Sequence, residues 1–148
     1  MDRVDPGTGP AAPEAAAVCG PLAEQYVNIT AAGAALARNF GFHAVFLWQP
    51  LRATTSKPLT SWENSIESWP GYREMLHRCT QAADQAMGDR LGRDYFQLAS
   101  IFDSDTTSVF LDEYGHVTET ANAVIADRIT GIILPLLGSG PKSGTPAH

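Results

Sequence analysis

The feature that most constrains this chain is the run His43-Ala44-Val45-Phe46-Leu47-Trp48, closed by Gln49-Pro50. It is short, continuously apolar and ended by a proline. Those properties fit a strand buried on both faces of a parallel sheet.

Helical patterns stand on both sides of it. Upstream, Leu22, Tyr26, Ile29, Ala32, Leu36 and Phe40 recur at three- and four-residue spacing. They predict a helix over residues 13–39, with Pro21 as an alternative first-turn residue and Gly41 in the C-terminal glycine position. Downstream, Thr60 or Ser61 caps a short helix reaching residue 68, and Trp69-Pro70-Gly71 breaks it. A further helix follows over 72–91, then a second short strand over 95–101 and a brief extended piece at 109–111. Thr118 caps a last helix, from 119 to about 137, which Pro135 closes. Such alternation implies an α/β layer with a parallel sheet. Two strands are fewer than the roughly five of a doubly wound domain. The chain therefore reads as part of a sheet whose other strands are missing or come from elsewhere. Residues 1–12 read as a flexible lead, 13–137 as the single domain and 138–148 as a flexible tail.

Charge narrows the partners. A net charge of -6 and a pI near 5.0 argue against nucleic acid or an anionic membrane surface, which require basic patches. No stretch reaches the ~20 apolar residues of a membrane span. The Pro-, Gly- and Ala-rich start lacks the apolar core of a secretory signal. Cys19 and Cys79 have no CxxC partner, so no zinc site is expected. Two buried free thiols are the expectation, and one disulfide is the other possibility. His43, His77 and His148 have no metal-ligand spacing; His43 reads as packed and His77 as a surface residue. Trp48, Trp62 and Trp69 read as core and loop anchors.

The stretch most informative for chemistry is Phe110-Leu111-Asp112-Glu113-Tyr114-Gly115-His116-Val117-Thr118, running into the last helix. A histidine here follows two adjacent carboxylates in a loop. Imidazole acts as a general base when a partner fixes its tautomer and stabilises the imidazolium. Asp112 or Glu113 offers that partner. The same pattern also describes a surface loop with a solvated histidine.

This segment resembles the last block of SGNH/GDSL-type serine hydrolases, through Asp112, His116, Thr118, Asn122, Ile125 and Ala126. There an acid precedes the catalytic histidine, commonly by three residues. Asp112 lies four before His116 and Glu113 three, so the orienting carboxylate is open; Asp112 is favoured because it follows the Phe-Leu pair. Ala121 stands where that family often has glycine. The strand ending in Gln49-Pro50, the following Lys57-Pro58-Leu59-Thr60 with Glu63, and Ser100-Ile101-Phe102-Asp103 are similar to the same family in order and spacing. The resemblance spans roughly residues 22–135.

The resemblance implies a partial, flavodoxin-like three-layer α/β/α sandwich with parallel strands, its N-terminal strands missing. It implies hydrolysis of an ester or acyl group of a carbohydrate, lipid or small molecule, or acyl transfer, without a metal or organic cofactor. His116 would be the base, Asp112 (or Glu113) its orienting acid, and Gln49, at the C-terminal end of the strand, a substrate contact. The family's Gly-Asp-Ser nucleophile block and its Gly-x-Asn-Asp block are absent from the sequence; Gly88-Asp89 is followed by Arg90. The chain is thus expected to be inactive alone, with a partner chain possible as the source of the missing N-terminal half; the alternative is a non-catalytic α/β fragment that functions only by pairing with such a partner.

Overall fold

The computed structural model describes residues 12–68 and 71–138. Most of the predicted lead and tail, and Trp69 with it, lie outside the described residues. Four α-helices and two strands follow in the order α1 (Ala12–Phe40), β1 (Phe46–Trp48), α2 (Ser61–Ser65), α3 (Tyr72–Leu91), β2 (Tyr95–Gln97) and α4 (Glu119–Leu137). A single 3-10 turn, Gly92–Asp94, joins α3 to β2.

The three-layer sandwich is not what the chain forms. The two strands have three residues each and pair parallel in the register Phe46–Tyr95, Leu47–Phe96 and Trp48–Gln97. Around them, α1, α3 and α4 span 29, 20 and 19 residues, so the described chain is mainly helical. The physical reason lies in the strand run itself. An apolar run reads as doubly buried only if strands and helices exist to bury it, and each strand here has a single neighbour. The run shortens accordingly, beginning at Phe46 rather than His43, and His43 is exposed. His77 is half-buried rather than superficial.

One core cluster is built mainly by helices. Small residues on one side of α1, among them Ala34 and Ala37, are buried, and Val27 and Ala34 cluster with Met87 and Leu91 of α3. Phe46 and Tyr95 pack onto that cluster, fixing the sheet against the helix pair. Small side chains let the helix axes come close, and the two cysteines meet across them. Cys19 and Cys79 form a disulfide with a Cα–Cα separation of 4.5 Å, which corrects the expectation of free thiols. Residues 60 apart cannot be seen as neighbours until two helices are docked. Helix α1 also runs unbroken through Pro21, so Ala12, not Pro21, begins it.

A second cluster roots α4. Phe102, Val109, Phe110, Val117 and Ala121 are buried together, with Leu59, Ile101 and Ile125 packed on them. Phe102 and Phe110 meet edge-on at 6.2 Å between ring centroids. Thr118 caps α4 by accepting from the Ala121 N–H, as predicted. Ala121 is the one residue of α4 that is fully buried. The rest of this helix is exposed or half-buried, and by length and composition alone it could cross a membrane. Pro135 lies inside it, two residues before its end.

Candidate active site

The loop carrying Asp112 and His116 is built by two backbone crossings. Phe110 and Val117 form an antiparallel bridge, with the Leu111 N–H donating to the His116 carbonyl and the Thr118 N–H to the Val109 carbonyl, each at 2.9 Å. The ends of the loop are thereby pinched together. Inside it, Asp112 Oδ1 accepts from the Tyr114 N–H at 2.8 Å and the His116 N–H at 3.2 Å. The chain reverses at Gly115, whose φ of +96° suits a residue without a side chain. A Cβ at Gly115 would also stand 2.8 Å from both Gln49 Nε2 and a Leu51 methyl.

This geometry leaves Asp112 Oδ2 free to meet His116 Nδ1, and the two form a close hydrogen bond. That hydrogen bond, followed by those from the Tyr114 and His116 amides, holds the Asp112 carboxyl below its ordinary range. The acid therefore stays ionised and fixes the imidazole, leaving Nε2 free to take or give a proton. Three-quarters of the His116 side chain is exposed to solvent.

Glu113 does something different. Its side chain is buried, ion-paired with Arg52, and accepts from Ser68 Oγ at 2.7 Å. Arg52 is equally buried; it also donates to the Glu63 carbonyl at 2.5 Å, the Ile66 carbonyl at 3.2 Å and Ser68 Oγ at 2.6 Å. Of the two carboxylates that spacing alone left open, Asp112 is the one on the imidazole, and Glu113 anchors the loop to residues 52–68.

Glu63 completes the support. It lies at 0% exposure and receives four donors. Oε2 accepts from Lys57 Nζ and the Thr60 N–H, both at 2.8 Å. Oε1 accepts from the Val109 N–H at 2.9 Å and the Phe110 N–H at 3.2 Å. Burial alone would raise the Glu63 pKa. Lys57 and the three amides outweigh it and bring it down to about 2. The Thr60–Glu63 capping box that starts α2 is thus also the tie between the α2 loop and the Val109–Phe110 segment leading into the His116 loop.

Gln49 follows β1 directly, at the C-terminal end of the strand, and its amide abuts Gly115. It lines a cleft of about 280 Å³ together with Tyr26, Leu47, Trp48 and Leu51. Trp48 Nε1 is buried without a hydrogen-bond partner. The structure therefore brings His116, Asp112 and Gln49 into one neighbourhood and sets Glu113 beneath them. Sequence reasoning passed over Arg52, because a lone arginine in a loop ordinarily marks solvent. It quoted Glu63 for its spacing only; the capping-box pattern was the available sign of its structural duty.

Comparison with protein families, with curated proteins and with solved structures found no match.

Proposed function

We propose that this chain is the acid–histidine portion of an SGNH/GDSL-type hydrolase of ester bonds, completed by a nucleophile carried on other residues. The observation that supports the reading most is the Asp112–His116 pair. A carboxylate held in its charged form orients one imidazole nitrogen, and Gly115 beside that imidazole abuts Gln49 at the C-terminal end of a parallel strand. In the complete site a serine would attack the acyl carbonyl, His116 Nε2 would accept the serine proton, and Asp112 would stabilise the imidazolium. His116 would then return the proton to the leaving alcohol, and water would release the acyl group by the same route. Gln49, at the rim of the neighbouring cleft, would contact the substrate. Acyl transfer to another alcohol would use the same groups.

The test begins with the purified chain. It should neither turn over a p-nitrophenyl ester nor react with a serine-directed phosphonate. Labelling abolished by one particular serine substitution would show that the nucleophile is present after all. The native protein, captured from its source through its C-terminal segment, should have a mass well above 15.8 kDa or bring a second polypeptide with it. In that longer protein or complex His116→Ala should abolish ester hydrolysis, and full activity in the variant would remove the assignment.

A further inference from the structure

The cleft beside Gln49 has an uncharged lining on a chain whose net charge is -6. Leu47 and Leu51 give it apolar walls, and Tyr26 and Trp48 meet there edge-on with ring centroids 5.5 Å apart. Its polar groups are few. Gln49 is exposed and offers a side-chain amide. Trp48 offers an indole Nε1–H that is buried and has no hydrogen-bond partner among the described residues. A buried N–H nearly always finds an acceptor, because leaving it unpaired costs free energy. An orphan donor on a residue that walls a cleft is accounted for when the occupant brings an accepting oxygen. The cleft is also joined to the His116 loop. Gln49 and Leu51, two of its five residues, are the ones that a Cβ at Gly115 would strike. Gly115 precedes His116 directly, so the cleft shares a wall with the loop that carries the imidazole.

We propose that this cleft is the acyl subsite of the hydrolase, taking a short, uncharged acyl chain whose ester carbonyl accepts from Gln49 and Trp48. The proposal rests on the ester-hydrolysis reading and names the substrate class within it. The lining sets the chemistry. It holds no side chain to pair a carboxylate or an ammonium group, and a charge taken from water without a partner is costly. Two leucines and two aromatic rings suit a hydrocarbon chain better than a hydroxyl-rich sugar ring. The volume sets the length. The 280 Å³ of the cleft equals the space of about nine water molecules at roughly 30 Å³ each. That lies just under the roughly 300–1,000 Å³ of sites for drug-sized ligands, which fits a chain of a few carbons and not a lipid tail.

Binding to the full 148-residue chain tests this without any catalysis. Methyl butyrate should shift the NMR signals of the Trp48 indole N–H and the Gln49 side-chain amide saturably. Sodium butyrate, methyl glucoside and tetramethylammonium should not. Affinity should rise about fourfold per methylene from methyl acetate to methyl butyrate, and should stop rising before methyl octanoate. Tyr26→Ala should weaken methyl butyrate about threefold to tenfold with helical circular dichroism kept, and Tyr26→Phe should bind as the unsubstituted chain does. The proposal is overturned if methyl butyrate does not saturate, if any of the three controls binds more tightly, or if affinity keeps climbing to methyl octanoate. Unweakened binding by folded Tyr26→Ala overturns it too. The two readings fail separately. Saturable binding of methyl butyrate with no ester hydrolysis by the completed protein keeps the cleft as the site for this ligand and removes the hydrolase. Hydrolysis that needs His116 but is indifferent to acyl length removes the acyl subsite alone.

Discussion

Two halves of this molecule are held together by opposite means. The α1–α3 half is apolar and covalent: alanines, Val27, Met87 and Leu91 pack, and Cys19–Cys79 locks the pair. The loop half, residues 50–68 with 109–118, has a small aromatic cluster, but its chain path is set by buried ions, Lys57–Glu63 and Arg52–Glu113. Apolar packing tolerates sliding, whereas a buried ion pair with directed hydrogen bonds tolerates almost none. The half that must hold a histidine against an aspartate is the one built from directed bonds.

That contrast can be broken from either side. The largest effect is expected from the helical half. Replacing both cysteines by serine frees a loop of 60 residues and should cost about 4 kcal/mol in urea unfolding by the chain-entropy account. In the loop half, Glu63→Gln leaves Lys57 buried and unpaired and should cost about 3 kcal/mol. The two variants separate by pH. Because the Glu63 pKa is depressed in the folded chain, its contribution is complete above the ordinary carboxylate value of 4.5. It is lost as pH falls from there towards about 2. Acid titration of stability should therefore flatten over that window in Glu63→Gln and keep its slope in the cysteine variant.

Smaller effects test the loop itself. Gly115→Ala forces an L-residue to positive φ and a Cβ into Gln49 and Leu51. It should cost about 1–3 kcal/mol, and Gln49→Ala should relieve only part of that. The smallest effect is expected from Asp112→Asn, whose carboxyl is partly exposed and whose ion pair lies at the surface. Its stability change should stay within about 1 kcal/mol, while the His116 Nδ1 nitrogen, followed by NMR, should lose the chemical-shift signature of its hydrogen bond to a carboxylate. Glu113→Gln is the control. It should destabilise the chain more than Asp112→Asn and leave that Nδ1 signature nearly unchanged.

Local pattern carried part of this. The spacing of Leu22 to Phe40, the caps at Thr60 and Thr118 and the two short strand runs around residues 46 and 95 were legible because each is decided within a few residues or by a repeat. His116 and its two candidate acids were legible for the same reason. The three-layer sandwich was not delivered, because a strand run names a burial environment without supplying it.

What the sequence determined by itself is where helices start and which residues could do acid–base chemistry, since capping and periodicity are short-range physics. Only the tertiary structure decided that Cys19 meets Cys79, that Glu63 is buried among four donors, and that Asp112 rather than Glu113 holds His116. Those outcomes depend on groups brought together across the fold, such as Arg52, which is 61 residues from Glu113 and removes it from competition for the imidazole. A carboxylate's role is fixed by which cation reaches it first in the folded chain, and no local spacing contains that information.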